Sequence, residues 1–222
     1  MVSVLMPAFN EASRVGASVS AALAIPQVDE VIVIDDGSLD ETGDLAEKAG
    51  AKVLRLGRNV GKGGALNAGL AQARGNVILT LDADLGVSAL EGTKLLAPVL
   101  GGQAHMTVGV FPRREKGGGF GLAKGLARQG ILLLTGQRLQ EPLSGQRGML
   151  REILVRCNGF AGGFGAEVGL TVDALRLGYR VLEVEVDMSH ARTGRNLSGF
   201  RHRGRQFWHI FLALAARVGD RA

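Results

Sequence analysis

The chain has 222 residues, is 46% hydrophobic and carries a formal net charge of +5 at pH 7. This length and composition favour a single globular α/β domain over residues 1–222. The only cysteine is Cys157, which excludes an internal disulfide. No nucleophile motif surrounds it, so we interpret it as a small buried residue.

The charge is divided unevenly between two halves of the chain. Residues 1–110 hold 8 Lys/Arg and 12 Asp/Glu, a net charge of −4, whereas residues 111–222 hold 18 and 9, a net charge of +9. The acidic half suits a metal ion and the basic half suits an anionic substrate or surface. We expect no nucleic-acid partner, because the aromatic residues of the basic half are not interleaved with its cations.

The chain shows no targeting or spanning segment. No apolar run reaches the roughly 18–20 residues that cross a bilayer, and the N-terminus enters a strand pattern without a signal-type stretch. We therefore expect a cytoplasmic protein. The sequence leaves peripheral membrane contact and a homodimer open.

Strand-like and helix-like patterns alternate through the first half. Apolar runs predict strands over 2–6, 30–34, 52–56 and 77–81, and helical periodicity predicts helices over 11–23, 40–49 and 63–74. Asn10 is the predicted N-cap of the first helix. This β-α-β order predicts a mostly parallel central sheet flanked by helices.

The second half is less regular. It predicts strands over 105–111 and 180–186, helices over 120–135, 150–156, 167–177 and 198–218, and a glycine-rich hinge over 116–119. We divide the domain into a nucleotide-binding half, residues 1–110, and an acceptor half, residues 111–222.

Two carboxylates, Asp82 and Asp84, directly follow the fourth predicted strand. Mg²⁺ and Mn²⁺ prefer oxygen ligands and are often held by one or two carboxylates together with substrate phosphates. The spacing therefore predicts a divalent metal and diphosphate chemistry. A solvated acidic turn is the alternative interpretation.

Polar clusters also follow the first and second strands. Pro7, Asn10 and Glu11 follow strand one, and Asp35-Asp36 follows strand two. Ligands of open α/β sheets bind outside the carboxyl ends of the strands, so these clusters predict one site. For Asp35-Asp36 alone, a turn with a helix cap is an equal alternative.

The glycine-rich stretch over 57–63 is not a phosphate-binding P-loop. Its spacing is one residue short and Gly63 stands where Ser or Thr is required. Lys62 at the start of a helix remains a candidate phosphate contact. The chain also lacks an intact G-x-G-x-x-G, which argues against a dinucleotide oxidoreductase.

A late loop over 190–196 is dense in hydrogen-bond donors. It is interpreted either as a basic surface loop or as a loop that closes over a diphosphate, with His190 as a third metal ligand beside Asp82 and Asp84.

Together these motifs resemble family 2 glycosyltransferases with a GT-A-type fold. The matching stretches are Val4-Leu-Met-Pro-Ala-Phe-Asn-Glu11, Val33-Ile-Asp-Asp-Gly-Ser-Leu-Asp40, Gly61-Lys-Gly-Gly-Ala-Leu-Asn67 and Asp82-Ala-Asp84. The resemblance implies a UDP- or GDP-linked sugar donor and a Mg²⁺ or Mn²⁺ cofactor. It also implies roles for individual residues. The nucleoside pocket is lined by Pro7, Asn10 or Glu11, and Asp36, with Lys62 nearby, while ribose, metal and diphosphate are held by Asp82 and Asp84.

The second half is similar to two narrower groups. Pro142–Arg147, Gly163–Glu167 and His190–Asn196 resemble glucosyl-3-phosphoglycerate synthases, and Arg192–Leu197 also resembles a loop of polyprenyl-phosphate sugar transferases. The first likeness implies that Glu167 sits at the sugar or acceptor and that His190 joins the metal.

The chain departs from the phosphoglycerate enzymes at one place. It has Phe120 and Leu122 where they carry an Arg and a Thr for the acceptor. This departure argues against phosphoglycerate and leaves an anionic small molecule or a lipid phosphate as acceptor.

The sequence thus predicts a metal-dependent glycosyltransferase. Asp84 holds the metal, Lys62, Arg192 and Arg195 stabilise the leaving diphosphate, and Glu167 is the candidate general base. One alternative is a sugar nucleotidyltransferase, which should show a glycine-rich loop after strand one. The other is a non-catalytic module that binds anions or membrane surfaces through the last helix.

Overall fold

The structure, a computed structural model, describes residues 1–111, 121–161, 165–189 and 198–218, with side chains in the last range described from residue 207 onward. The strands are β1 Val2–Ala8, β2 Glu30–Asp35, β3 Lys52–Arg55, β4 Val77–Thr80, β5 Met106–Val110, β6 Arg147–Leu150 and β7 Val181–Glu185. The helices are α1 Val15–Leu23, α2 Thr42–Lys48, α3 Lys62–Gln72, α4 Gly92–Leu100, α5 Gly121–Thr135, α6 Arg151–Arg156, α7 Ala166–Arg176 and α8 Ser198–Ala215, with a 3₁₀ helix at Gly86–Glu91.

Seven strands form one sheet in the order β3-β2-β1-β4-β6-β5-β7. Strands β1 to β4 pair in parallel, β6 is antiparallel to both β4 and β5, and β7 is parallel to β5. The predicted fold class, α/β with a mostly parallel sheet flanked by helices, is confirmed. The carboxyl ends of β1, β2 and β4 meet at one edge of the sheet.

Helices cover both faces of the sheet, which explains why the central strands are apolar at most positions. On one face Val4, Met6 and Leu79 pack with residues of α1 and α4. On the other face Leu5 and Ile78 pack with residues of α3, α6 and α7. A third cluster joins α5, α7 and α8 through residues that include Ala127, Val168, Val172, Ile210 and Leu214.

Three sequence predictions are corrected. The first helix begins at Val15 instead of residue 11, because residues 12–14 form a turn. Helix α4 and strand β6 were not predicted. The four residues of β6 are fixed by pairing with β4 and β5, and this non-local pairing leaves no local periodicity to detect.

Candidate active site

A cleft of about 200 Å³ lies at the edge of the sheet where β1, β2 and β4 end. Its lining comprises Pro7, Ala8, Phe9, Asp36, Asn59, Gly61, Lys62 and Asp82. Four of the residues predicted to bind the donor are therefore brought together here: Pro7, Asp36, Lys62 and Asp82. Their grouping follows from the parallel pairing of the strands that precede them.

Asp36 is nearly buried in this cleft, with 4% of its surface exposed. Its carboxylate accepts hydrogen bonds from the backbone N–H of Val60 at 2.7 Å and of Gly61 at 2.9 Å. It therefore fixes the loop that leads into α3. The turn interpretation applies to its neighbour Asp35, whose Oδ1 accepts a hydrogen bond from the backbone N–H of Ser38.

Lys62, the first residue of α3, reaches across the cleft to Asp82. Its Nζ lies 2.6 Å from Asp82 Oδ1 and 3.8 Å from Glu167 Oε1. Burial acts to lower the pKa of Lys62, but the negative charges of Asp82 and Glu167 outweigh it, so this pKa is raised above its ordinary value. The amine therefore stays a cation at neutral pH. A Cβ at Gly145 would touch this Nζ, so a larger residue there would push the flexible end of Lys62 aside.

Gln146 is a site residue that the sequence analysis missed. Its amide Nε2 donates to Asp82 Oδ2 at 2.6 Å, and its Oε1 accepts from the backbone N–H of Asp82 at 3.0 Å. Because β6 runs antiparallel to β4, with Thr80 paired to Arg147, the residue before β6 lies beside the residues after β4. In the sequence, Gln146 is marked only by its place in the Pro142–Arg147 motif, and the sequence does not reveal what that motif does.

The loop that carries Gln146 is built around a buried arginine. Arg147 is 1% exposed and donates to the carbonyls of Ser144 and Pro142 and to Thr171 Oγ1. Burial lowers the pKa of Arg147 to about 10, although Glu167 and Glu183 act in the opposite direction. It remains charged at neutral pH and locks the loop onto α7.

Helix α1 holds the turn that contains Asp84. Ser18 Oγ donates to the Ala83 carbonyl at 2.7 Å and accepts from the Gly86 N–H at 2.8 Å. A guanidinium nitrogen of Arg14 donates to the Asp84 carbonyl at 3.1 Å. The position of this turn is therefore set by two side chains that lie 65 and 70 residues away in the sequence.

Glu11 lies in the electrostatic field of both Asp82 and Asp84. Burial raises the pKa of the Glu11 carboxyl, Asp84 raises it further, and Arg14 partly opposes the shift. Asp40 and Asp82 contribute in the same direction as Asp84. The site is thus a concentration of negative charge beside the cleft.

Asn10 is not the N-cap of the first helix, so that prediction is wrong. It has a left-handed backbone with φ of 57°, and the helix begins five residues later. Its Oδ1 accepts from the Leu39 N–H, and its own N–H donates to Ser38 Oγ. Asn10 therefore joins the loop after β1 to the loop after β2 at the rim of the cleft.

Glu167 lies in the first turn of α7, as predicted, and 16% of its side chain is exposed. The approach to this turn is fixed by Asn67 of α3. Its side-chain amide exchanges two hydrogen bonds, both 2.8 Å, with the backbone of Phe160. The second half of the chain is thereby tied to the helix that carries Lys62.

The site has the chemistry to hold a hard divalent cation. Asp82 and Asp84 offer carboxylate oxygens, which Mg²⁺ and Mn²⁺ prefer, and Glu11 lies in their electrostatic field. Within the described ranges no group of three or more His, Cys, Asp or Glu residues could hold a metal ion on its own. The predicted metal ligand His190 and the predicted donor contacts Arg192 and Arg195 lie outside the described residues.

A larger cavity of about 480 Å³ lies elsewhere, against α5 and the loop after it. It is lined by Arg128, Gln129, Leu132, Arg138, Leu139 and Gln140. Its lining contains no carboxylate, whereas Asp36 and Asp82 line the smaller cleft at the strand ends.

The protein is an open α/β sheet with a carboxylate-bearing cleft at its strand ends. In proteins of this class the ligand binds outside the carboxyl ends of the strands. The family model for glycosyl transferase family 2 matches residues 3–162, and the chain belongs to that family. The family resemblance predicted from the sequence is confirmed.

Particular relatives include two glucosyl-3-phosphoglycerate synthases. The protein from Mycolicibacterium smegmatis is 37% identical over 198 residues, which cover 80% of this chain and 65% of the relative. The protein from Mycolicibacterium paratuberculosis is 33% identical over 201 residues, which cover 80% and 61%. The chain therefore spans less than two thirds of the length of these relatives. The undecaprenyl-phosphate 4-deoxy-4-formamido-L-arabinose transferase of Pseudomonas aeruginosa is 37% identical over 95 residues, 38% of this chain and 28% of that protein.

Solved structures of the Mycobacterium tuberculosis glucosyl-3-phosphoglycerate synthase share the fold. One contains Mg²⁺ and UDP, and another contains Mn²⁺, UDP-glucose and phosphoglyceric acid. Both have a TM-score of 0.83 and 28% identity, and both cover 100% of this chain and about 80% of the other. The expected GT-A-type fold is thereby confirmed, and the predicted cofactors are the metals of these complexes.

Proposed function

We propose that this chain is a metal-dependent glycosyltransferase that moves a sugar from a nucleoside-diphosphate sugar to an anionic acceptor. The observation that carries the proposal is the cleft at the strand ends, where Lys62, Asp82 and Gln146 are locked together beside Asp84. The UDP complexes of the related synthase, with Mg²⁺ or Mn²⁺, support the choice of donor and metal.

In this proposal Pro7, Asn10, Glu11 and Asp36 bind the nucleoside end of the donor. Asp84 is the proposed principal metal ligand, on the turn after β4 that Ser18 and Arg14 hold in place. Asp82 accepts hydrogen bonds from Lys62 and Gln146. Asp82 orients Lys62 toward the diphosphate, and Lys62 contributes positive charge where the leaving group develops negative charge. A bound Mg²⁺ or Mn²⁺ supplies Lewis-acid stabilisation of the leaving nucleoside diphosphate.

Glu167 is the proposed general base for a hydroxyl acceptor. It stands at the start of α7 in the acceptor half, yet its carboxylate lies 3.8 Å from the Lys62 amine in the donor half. Glu167 is therefore close to the place where sugar and acceptor would meet. A phosphate acceptor would need no base.

The acceptor is proposed to be anionic because residues 111–222 carry a net charge of +9. Phosphoglycerate is the acceptor named for the related synthases, and lipid phosphates are the acceptors of the polyprenyl-phosphate group. Leu122, at the start of α5, is 83% exposed and offers no hydrogen-bonding side chain to a phosphoglycerate. Leu122 therefore supports an anionic acceptor other than phosphoglycerate.

We further propose that the protein works in the cytoplasm.

A product assay tests this function. UDP-glucose, UDP-galactose, GDP-mannose and GDP-glucose are incubated with Mn²⁺ and either 3-phosphoglycerate or a short polyprenyl phosphate, and glycosylated product is measured by mass spectrometry. We expect one donor to yield product. Glu167→Gln should then lower transfer to a hydroxyl acceptor roughly 10²–10⁴-fold while donor binding is kept. Asp84→Ala is the inactive control.

The same assay can contradict the proposal. If no donor is consumed with Mn²⁺, Mg²⁺ or any acceptor, and none is hydrolysed, the glycosyltransferase function is wrong. If Glu167→Gln transfers sugar to a hydroxyl acceptor as fast as the wild type, the proposed role of Glu167 as a base is wrong, and Glu167 acts only as an acidic residue at a helix N-terminus.

A further inference from the structure

Helix α8 presents one apolar face to the protein and a second apolar face to solvent. Ile210 and Leu214 are buried against α5 and α7, where a Cβ at Gly130 would collide with Leu214. Arg217, just after the helix, donates hydrogen bonds to both carboxylate oxygens of Asp173 on α7. One side of this helix therefore docks onto the protein core.

The outward face of α8 is aromatic. Phe207 is 39% exposed, Trp208 56%, Phe211 44% and Leu212 47%. The rings of Trp208 and Phe211 stack on each other with centroids 5.5 Å apart. Positions 207, 208, 211 and 212 share one side of an α-helix, so they form a continuous apolar patch, here called the α8 patch.

The charges of α8 favour an anionic partner for this patch. The helix contains three arginines, Arg201, Arg203 and Arg205, and no Asp or Glu. By helical spacing, positions 201 and 205 fall on the side of α8 that carries Trp208 and Leu212. A second copy of the chain would bring an equally basic helix, whereas an anionic lipid surface brings the opposite charge.

We propose that the α8 patch docks this protein onto an anionic phospholipid surface. Helix α8 lies flat in the headgroup region, with Phe207, Trp208, Phe211 and Leu212 inserted, and the lipid phosphates attract the basic first half of the helix. This is contact with one leaflet: within the part of the chain described, no helix is both long enough and apolar enough to cross a bilayer. The proposal concerns where the protein sits and does not depend on its proposed catalytic activity.

Trp208 is the only tryptophan in the chain, so its fluorescence reports directly on the α8 patch. The full chain is mixed with phosphatidylcholine vesicles that contain or lack phosphatidylglycerol. We expect a blue shift of Trp208 emission and co-sedimentation only with the phosphatidylglycerol vesicles. Both signals should weaken in high salt, because the attraction of the arginines is screened.

Two variants test the apolar and the charged contributions separately. Phe211→Ser keeps the Trp208 reporter and should weaken vesicle binding roughly tenfold or more, since interfacial binding scales with buried apolar area. Arg201→Gln combined with Arg205→Gln should weaken binding to phosphatidylglycerol vesicles in low salt. The matched control is Val155→Ser, which removes an exposed apolar side chain from α6, 69% exposed, and should bind as the wild type does.

Two results would overturn the proposal. One is the absence of both the fluorescence shift and co-sedimentation with phosphatidylglycerol vesicles in low salt. The other is a Trp208 shift that depends on protein concentration without lipid and coincides with dimer formation in sedimentation velocity, which would make a second copy the occupant. Asp84→Ala should bind vesicles normally, so loss of catalysis and loss of membrane binding are distinguishable.

Discussion

At the candidate active site, burial and repulsion from neighbouring carboxylates both disfavour the charged form of Glu11, and burial is the larger cause. Burial and the negative charge of Asp84 together raise the pKa of Glu11. Folding therefore forces this carboxyl to hold its proton more tightly than it does in the unfolded chain. A bound divalent cation would relieve the repulsion, because it neutralises the same group of carboxylates.

Glu11→Gln should stabilise the metal-free protein at neutral pH. A folded-state pKa above the unfolded value means that the free energy of unfolding falls as pH rises from about 4.5 through the folded pKa. Glu11→Gln has no carboxyl to ionise at this position, so its free energy of unfolding does not fall for this reason. Its Tm in EDTA should exceed that of the wild type at pH 7 and match it near pH 4, as measured by differential scanning fluorimetry.

Glu152→Gln on α6 is the control for this comparison, since it removes a carboxylate from an exposed position away from the cleft. Mn²⁺ should raise the Tm of the wild type more than that of Glu11→Gln. A Glu11→Gln variant that is less stable than the wild type at pH 7 in EDTA would show that Glu11 is not under repulsion.

Individual site residues differ in how readily the sequence predicts them. Asp82 and Asp84 were predicted because a pair of carboxylates after an apolar strand is a local signal. Gln146 was missed, because its contact with Asp82 spans 64 residues and depends on the register of an antiparallel strand. Asn10 was misassigned because a residue that caps a helix and one that bridges two loops have the same local sequence pattern.

At the level of elements, the link between α3 and the segment before α7 joins the two halves of the site. Gly159 has a φ of 81°, and a Cβ there would lie 2.5 Å from Asn67 Oδ1. Gly178, after α7, has a φ of 80°, but a Cβ there meets nothing within 4 Å. The two glycines share the same left-handed backbone conformation and differ in what surrounds them.

Gly159→Ala should therefore destabilise the protein more than Gly178→Ala. The left-handed backbone costs an alanine roughly 1–2 kcal/mol at either position. Only at Gly159 does the methyl group also displace Asn67 from its two hydrogen bonds with Phe160. Urea unfolding followed by circular dichroism measures both losses.

A double variant isolates the contact. Asn67→Ala combined with Gly159→Ala removes the collision, so its loss of stability should be smaller than the sum of the two single losses. Equal losses for Gly159→Ala and Gly178→Ala would mean that the Asn67–Phe160 link contributes nothing beyond backbone strain.

The elements themselves were predictable where their patterns are local. The predicted strands and helices of the first half recur in the structure with boundary shifts of a few residues, because buried parallel strands read as short apolar runs. Strand β6 has four residues, and its central Gly148 packs against the Leu95 carbonyl and Thr107. Such a strand is defined by its neighbours in space and not by its own composition.

At the scale of the whole molecule, one sheet edge collects groups from both halves of the chain. The first half supplies the cleft, and the second supplies Gln146 and Glu167 through β6 and α7. The uneven charge of the two halves predicted a separate role for each half. The contacts between the two halves could be seen only in the folded structure. In the sequence, helix α8, which carries the proposed membrane surface, comes soon after the loop over 190–196 that is predicted to close over the donor.

The central claim is that Asp84 and a divalent cation together bind a nucleoside diphosphate in the strand-end cleft. Isothermal titration of UDP and GDP into the wild type and Asp84→Ala, each with Mn²⁺ and with EDTA, tests it most directly. We predict that Mn²⁺ strengthens binding of one nucleotide to the wild type, and that Asp84→Ala abolishes this dependence without a change in fold by circular dichroism. Equal affinity in Mn²⁺ and EDTA, for wild type and variant alike, would mean that Asp84 holds no metal for nucleotide binding.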